Sequence, residues 1–238
     1  MALQTPQAPR SDLIMFGNTR NYSLLKKFAL FNGAGLFGVA DITAIRDDFQ
    51  LPDITKDSLD KAVCLGVGLS SLVLSEINGA PTKLYYHHYK TANLFLDQLA
   101  FTVANWIQER GSKALPIPAS QITDWDLQKA HLSHKKIGEL AGLGWLGKNN
   151  LLVSRKFGAQ FRMATVLTDM DLKTDKLVKD DCGRCSACLA SCPASAIQND
   201  PKDFDHIQCF EKVRSFQRQN IVGQFICGVC VKACGKKS

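Results

Sequence analysis

The sequence predicts an α+β fold in which helices cover a mixed β-sheet, followed by a small cysteine-rich module at the C-terminal end. Two observations indicate this arrangement. Apolar residues recur at steps of three and four between residues 83 and 110, whereas several shorter apolar runs have the length of strands. Eight of the nine cysteines lie after residue 181. We therefore expect a flexible arm over residues 1–20, an α/β core over residues 21–178 and the cysteine module over residues 179–238.

The longest predicted helix covers residues 83–110 and would measure roughly 40 Å at about 1.5 Å per residue. Gly111 follows where a C-cap glycine belongs. Its inner face is expected to carry Ala92, Leu96, Leu99, Val103 and Trp106. Helices are also predicted over residues 23–32, 57–62 and 127–140, strands over residues 35–41, 63–69, 151–154 and 162–168, and a proline-punctuated link over residues 115–118.

The composition indicates an ordinary globular protein, with 45% hydrophobic and 21% charged residues. No apolar run reaches the roughly 18 residues that a membrane helix needs, and the first residues lack the apolar segment of a secretory signal. We expect a cytoplasmic location. The net charge of +7 is compatible with an acidic or phosphate-bearing partner, but the lysines are scattered, which favours a solvated surface.

The cysteine spacing predicts iron–sulfur clusters. Cys182, Cys185, Cys188 and Cys192 follow C-x2-C-x2-C-x3-C with Pro193 next, the run of bacterial two-cluster ferredoxins. In that run the fourth cysteine ligates the other cluster. A second group repeats the x2 and x3 spacings, and Cys209 can supply the ligand that it lacks. The predicted ligands of one [4Fe–4S] cluster are Cys182, Cys185, Cys188 and Cys234, and those of the other are Cys192, Cys209, Cys227 and Cys230.

Zinc is the main alternative, because paired C-x2-C motifs also build zinc ribbons. Those ribbons use two separated pairs, and the longer run followed by proline favours a ferredoxin-like module. The ninth cysteine, Cys64, lies in an apolar run and is expected to be a packed core thiol.

A glycine-rich segment, AGLGWLGKNN, spans residues 141–150. Gly142, Gly144 and Gly147 match the dinucleotide fingerprint, but that fingerprint needs a strand before it and a helix after it, and here the order is reversed. The glycines still allow tight turns or a close approach to a flat group. Trp145 is either a platform for a ring system or a core residue of a tight helix-to-strand connection.

Together these motifs resemble the epoxyqueuosine reductase family. The resemblance rests on AGLGWLGKN, LLVSRKFG, an apolar strand ending in LTD and CGRCSACLASCPASAI, with KKFALFNGAGLFGVAD near the start, and it covers about residues 23–234. Tyr86 and His87 are similar to a Tyr-His pair that the family has at the head of the long helix.

The resemblance implies a cobalamin-binding, nitroreductase-like core, akin to that of reductive dehalogenases, joined to a two-cluster module. The clusters would reduce a corrinoid that is held without a protein ligand to cobalt, and the reduced corrinoid would act on the substrate. A ferredoxin or flavodoxin type of protein would be the upstream low-potential electron donor. The expected corrinoid contacts are Gly142, Gly144, Trp145, Gly147, Lys148, Asn149, Tyr86 and His87.

Two departures from the family pattern bear on the reaction. The family places D-x-x-P-x-x-E before AGLGW, and in that register this chain has Gln128, His131 and His134, so the acid proposed as proton donor is missing. Asp124 and Asp126 lie nearby, but His131 and His134 become the expected catalytic residues, and Tyr86 is a weaker choice. The tRNA-modifying members also continue into a helical-repeat domain, and we therefore do not expect tRNA as a partner.

Three functions remain open from the sequence. The chain is a corrinoid-dependent reductase, an electron-transfer protein that reduces a corrinoid or a partner metalloprotein without its own substrate, or a scaffold for the cysteine module. The missing acid favours the second function. The intact core and the glycine segment favour a bound corrinoid in either of the first two.

Overall fold

The computed structural model describes residues 17–120, 122–124 and 129–235. Its centre is a four-stranded sheet in the order β1–β2–β6–β3. The strands are β1 (Leu36–Asp41), β2 (Lys61–Gly68), β3 (Ala114–Ile117) and β6 (Phe161–Thr168), and a separate hairpin consists of β4 (Trp145–Leu146) and β5 (Leu152–Val153). All three pairings in the sheet are antiparallel, so the predicted mixed sheet is wrong.

Eight α-helices surround these strands in the described part of the chain. They are α1 (Asn18–Phe31), α2 (Asp53–Lys56), α3 (Ser71–Ser75), α4 (Lys83–Gln108), α5 (His134–Leu140), α6 (Ala187–Ser191), α7 (His206–Arg218) and α8 (Val229–Ala233). Short 3₁₀ helices cover Arg46–Asp48 and Pro201–Asp203. Helices α1 and α4 pack on one face of the sheet, and α5 with the hairpin packs on the other.

Strand β2 shows why the sheet lies at the centre of the core. Val63 and Leu65 pack with α1 and α4, whereas Ala62 and Cys64 pack with α5 on the opposite face. Because alternate side chains of a strand point to opposite faces, a strand covered on both sides is apolar throughout. Cys64 is fully buried, as predicted, and burial raises the pKa of its thiol to about 12.

The long helix α4 agrees closely with its prediction. All five inner-face residues named above are buried, and Gly111 takes the left-handed conformation just after the helix. Thr82 caps the first turn, accepting a hydrogen bond from the backbone N–H of Tyr85 at 3.0 Å. Thr82 thus fixes the residue at which α4 begins. This N-terminal end of α4 packs against the cysteine module.

The cysteine module packs against that end of α4 and against α3. Leu74, Ile77 and Tyr85 form one apolar cluster with Phe216, Val222, Ile226 and Val229. The cluster joins residues on both sides of the boundary expected at residue 179. The module is thus anchored to the core by side chains that only tertiary structure brings together.

Several predicted elements differ from the observed ones. The segment predicted as a link over residues 115–118 forms β3, and its Pro116 is tolerated because β3 is an edge strand. The helix predicted over residues 57–62 is wrong, since α2 ends at Lys56 and β2 begins at Lys61. The helix predicted from residue 127 begins only at His134, where Ser133 caps it. Residues 18–20 of the expected arm belong to α1, and residues 1–16 lie outside the described part.

Among the described residues, no helix combines the length and the apolar character needed to cross a membrane.

Candidate active site: two cysteine cavities beside a large cavity

One group of four cysteines surrounds a cavity of about 260 Å³, here called the first cysteine cavity. Its cysteines are Cys182, Cys185, Cys188 and Cys234. Burial, together with the neighbouring thiols of Cys234, Cys182 and Cys185, raises the pKa of Cys188 to about 11. Since thiolates this close repel one another, four of them are stable here only around a cationic centre.

The other four cysteines surround a second cysteine cavity of about 350 Å³. They are Cys192, Cys209, Cys227 and Cys230. Burial, with Cys227 and Cys192 nearby, raises the pKa of Cys209 to about 11, and burial likewise raises the pKa of Cys230. The structure thus divides eight cysteines into two sets of four, and the donor set of each cavity fits one [4Fe–4S] cluster. Among the described residues, no three or more His, Cys, Asp or Glu side chains are arranged to hold a single metal ion.

The turn after β5 sets the position of the last cysteine. Gly158 has φ +60°, and an added Cβ there would collide with the carbonyl oxygen of Cys234. The backbone N–H of Ala159 donates to that same oxygen at 2.8 Å. The absence of a side chain at Gly158 therefore lets Cys234 reach the first cysteine cavity, more than 40 residues after the other three.

The glycine-rich segment packs against the protein itself. An added Cβ at Gly144 would collide with the carbonyl of Val153, one at Gly142 would meet the carbonyl of Lys176, and one at Gly147 would meet the side chain of Val153. The glycines therefore permit close contacts within the chain. This placement differs from the expectation that they face a corrinoid.

Three other residues of this segment line the first cysteine cavity or contact its cysteine loop. Trp145 and Asn149 line the cavity. The ammonium group of Lys148 donates to the carbonyls of Gly183 at 3.0 Å and Cys185 at 3.1 Å, bracing the cysteine loop. These three residues, expected to contact a corrinoid, do not line a third cavity, here called the large cavity.

The large cavity has a volume of about 830 Å³ and lies between α5, β6 and the 3₁₀ helix Arg46–Asp48. This volume is within the range of roughly 300–1,000 Å³ for ligand pockets. The apolar part of its wall includes Phe49, Leu132, Leu152, Phe161 and Met163, and the polar part includes Gln50, His134, Lys135 and Arg162. The large cavity and the second cysteine cavity share Tyr85, Lys135, Leu151, Arg162 and Val231.

At the N-terminal end of α4, the tyrosine that lines the large cavity is Tyr85, whereas Tyr86 was expected. Tyr85 is buried and lines both of these cavities, whereas His87 is exposed and Tyr86 packs beside Gly223 with Lys90 over its ring at 4.5 Å. Adjacent residues on a helix point about 100° apart, so a shift of one position changes the surface that a side chain reaches. Tyr86 and His87 therefore do not line the large cavity.

His134 lines the large cavity but has both ring nitrogens engaged. Nε2 lies 2.8 Å from the carbonyl oxygen of Pro118 and must donate to it, so Nδ1 accepts from the hydroxyl of Thr165 at 2.7 Å. Burial lowers the pKa of His134 to about 4. The ring is neutral near pH 7 and has no free N–H, which argues against its expected role as a proton donor.

His131 also differs from its expected place. Its Nδ1 donates to the backbone oxygen of Gln50 at 2.9 Å, and His131 is absent from the lining of the large cavity. Gln128, at the family's acid position, and Asp126 lie outside the described residues.

Tyr89, which the sequence analysis did not single out, lines the second cysteine cavity one helical turn after Tyr85. Its hydroxyl lies 3.2 Å from that of Ser120, and the guanidinium of Arg162 lies 4.5 Å from its ring centroid. Burial raises the pKa of Tyr89, but the charge of Arg162 and hydrogen bonds to its hydroxyl outweigh burial and lower it overall. The pairing of Tyr89 with Arg162 spans 73 positions of sequence and leaves no local signal.

Known proteins share this architecture. A catabolic reductive dehalogenase in complex with 3-bromo-4-hydroxybenzoic acid superposes on 96% of the chain with a TM-score of 0.73 and 18% identity, over 33% of its own length. An epoxyqueuosine reductase bound to an epoxyqueuosine-modified tRNA-Tyr stem loop superposes on 90% of the chain with a TM-score of 0.61 and 16% identity, over 64% of its own length. The fold is thus that of the reductive dehalogenases and epoxyqueuosine reductases.

Sequence comparison confirms the resemblance to the second group. An epoxyqueuosine reductase of Pseudomonas aeruginosa is 33% identical over 132 residues, which is 52% of this chain and 34% of that protein. One of Cellulophaga algicola is 30% identical over 158 residues, 63% of this chain and 47% of that protein. The chain thus spans less than half of the length of these relatives. No protein family model matches it.

These comparisons correct one expectation. We did not expect tRNA as a partner, but an epoxyqueuosine reductase of the same fold is known in complex with a tRNA stem loop.

Proposed function

We propose that this chain is an iron–sulfur reductase of the epoxyqueuosine reductase type, in which two [4Fe–4S] clusters deliver electrons to a corrinoid in the large cavity. One observation carries the proposal: the second cysteine cavity and the large cavity share a wall formed by Tyr85, Lys135, Leu151, Arg162 and Val231. The first cysteine cavity shares no lining residue with the large cavity. Electrons would therefore pass from the first cluster to the second and then into the large cavity.

The large cavity suits a flat, mostly apolar group. Phe49, Leu152 and Phe161 would hold the ring of a corrinoid, which supplies, when bound, the cobalt centre at which a substrate is reduced. The engagement of both nitrogens of His134 supports binding without a cobalt ligand from that residue. Lys135 donates from its ammonium to the backbone and side-chain oxygens of Asn150, both at 2.9 Å, and so keeps a cation in the shared wall.

Tyr89 is our proposed proton donor. It lines the second cysteine cavity and adjoins the large cavity through Arg162, which lines both. Its hydroxyl is held beside Ser120, and Arg162 stabilises the phenolate that remains when the proton leaves. Arg162 is itself fixed by donating to the side-chain oxygen of Asn93 at 2.9 Å and to the carbonyl of Ala119 at 3.1 Å. The site thus contains an acid whose pKa is lowered, which replaces the roles expected of His131 and His134.

An epoxide in a modified tRNA is a substrate class to test, because the relative with this fold binds an epoxyqueuosine-modified stem loop. Reduction of an epoxide to an alkene consumes two electrons and two protons and releases water. Two one-electron clusters and a positioned acid match that requirement.

Metal analysis tests the cluster part of the proposal. After anaerobic reconstitution we expect about eight irons and eight sulfides per chain, as two [4Fe–4S] clusters require, and no stoichiometric zinc. One or two zinc ions without labile sulfide would refute it.

Cobalamin binding tests the cavity. Ala130 lines the large cavity, so Ala130→Trp should fill it and weaken cobalamin binding at least tenfold, with the iron content unchanged. Leu94→Trp, on the exposed outer face of α4, is the matched control and should bind normally. Equal affinity in both variants would show that cobalamin does not occupy this cavity.

The engagement of His134 and the loss of the family's acid keep the electron-transfer function as a second candidate. Anaerobic assays with a reduced donor, cobalamin and an epoxyqueuosine-containing stem loop separate the two. Conversion of the stem loop supports the reductase. Reduction of cobalamin without conversion of this or other epoxide and halide substrates supports electron transfer alone.

A further inference from the structure

Two buried hydrogen-bond donors in the first cysteine cavity lack a partner. Among the described residues, the indole Nε1 of Trp145 and the amide Nδ2 of Asn149 are the buried side-chain polar atoms without a hydrogen bond. Both residues line this cavity, and Asn149, which is only 3% exposed, also lines the second cysteine cavity. A buried donor left without a partner costs about 1–3 kcal/mol, so two such donors on one cavity point to an occupant that accepts hydrogen bonds.

The backbone fixes both donors in place. Trp145 lies in β4 and pairs with Val153 of β5, and this pairing is close because Gly144 has no side chain to separate the strands. The Oδ1 atom of Asn149 accepts from the backbone N–H of Leu151 at 3.2 Å. That bond orients the amide and leaves Nδ2 as the free donor. The glycine-rich segment therefore holds two unpartnered N–H groups on residues that line the cavity.

The chemistry of the cavity identifies the acceptor. Its cysteines are Cys182, Cys185, Cys188 and Cys234. Free thiols are weak acceptors, whereas the thiolates and sulfides of an iron–sulfur cluster carry negative charge and accept N–H hydrogen bonds. Lys148 adds a positive charge to the same loop through its bonds to Gly183 and Cys185.

We propose that Trp145 and Asn149 donate N–H···S hydrogen bonds to the [4Fe–4S] cluster of the first cysteine cavity and raise its reduction potential. The inference rests on the proposed function, because it needs the cluster to be present. One electron added to the cluster increases its negative charge, and these hydrogen bonds stabilise the reduced form more than the oxidised form. The segment that resembles a cofactor-binding loop thus acts as a cradle for the cluster that is farther from the large cavity.

The direct test is the potential of each cluster in the reconstituted full chain, followed by electron paramagnetic resonance during a redox titration. Trp145→Phe keeps the ring and removes the N–H. We expect one of the two reduction potentials to become more negative by about 59 mV. For one electron this shift corresponds to a roughly tenfold decrease in the equilibrium constant for reduction. The iron content should stay the same. Trp106→Phe, in the apolar core between α4 and α1, is the matched control and should leave both potentials unchanged.

A second measurement begins with the unaltered chain. Pulsed electron paramagnetic resonance of the unaltered chain in D2O should detect exchangeable deuterons coupled to the cluster of the first cysteine cavity. Fewer should be detected in Trp145→Phe and in Asn149→Ala. Unchanged potentials and unchanged deuteron couplings in both variants, with two clusters assembled, would overturn this inference alone. Failure of the unaltered chain to assemble clusters would overturn the proposed function instead.

Discussion

At the scale of single residues, neighbours in space decide what a titratable group can do. His134 was a reasonable candidate from its register, since a histidine has a pKa close to neutrality. Its contacts with Pro118 and Thr165 became visible only in the fold, because these partners lie 16 and 31 positions away. The sequence therefore identified a residue that lines the large cavity, and its hydrogen-bond partners argue against a role as proton donor.

We predict that His134 makes stability depend on pH. The unfolded chain takes up a proton at this residue near pH 6.5, whereas the folded chain does so only near pH 4. Unfolding therefore becomes easier as pH falls through this window, and His134 should account for a loss of about 2 kcal/mol between pH 7 and pH 5. His134→Gln, which does not titrate, should lack that part of the loss in urea unfolding. A ring titration midpoint near 6.5 by NMR would contradict this prediction.

A second prediction concerns Tyr89. Tyr89→Phe should lower turnover of a reducible substrate by about 10²–10⁴-fold, the usual contribution of a positioned acid. Reduction of the clusters and of cobalamin should continue, because the phenol acts on the substrate. Tyr86→Phe is the matched control, since Tyr86 packs beside Gly223 and lines neither the large cavity nor the second cysteine cavity. Equal turnover in the two variants would place the proton donor elsewhere.

At the scale of elements, the sequence predicted long periodic segments well and short ones poorly. Helix α4 and the strands β1, β2 and β6 agree with their patterns because burial on one or both faces determines their residues. Strand β3 was missed because Pro116 reads as a loop signal, and its position at the sheet edge is a property of the whole fold. The glycine-rich segment was recognised, but its partner Val153 was not.

Gly144 provides a test at this scale. Gly144→Ala would push its new Cβ into the carbonyl of Val153, and backbone atoms cannot move aside cheaply. We expect a loss of about 1–3 kcal/mol or more in the free energy of unfolding, together with reduced occupancy of the first cysteine cavity. Gly17→Ala, where an added Cβ meets nothing within 4 Å, is the matched control. Normal stability and full iron content in Gly144→Ala would show that β4 and β5 can move apart without cost to the fold or to the first cysteine cavity.

At the scale of the whole molecule, the arrangement of the three cavities sets the order of the proposed electron path. Cysteine spacing alone predicted two groups of four, and the structure brings those same groups together around two cavities. The order of the cavities could not be predicted, because the wall shared by the second cysteine cavity and the large cavity comes from α4, α5 and β6 as well as from the module. The tertiary fold decides which cysteine cavity adjoins the large cavity.

The central claim is that neighbouring cysteines of one short motif serve different clusters. The measurement is iron content with electron paramagnetic resonance of Cys188→Ser and Cys192→Ser after anaerobic reconstitution. Cys188 lies at the first cysteine cavity and Cys192 at the second, so each variant should lose or alter a different cluster and keep the signal of the other. Loss of the same cluster in both variants, or zinc in place of iron, would contradict the account.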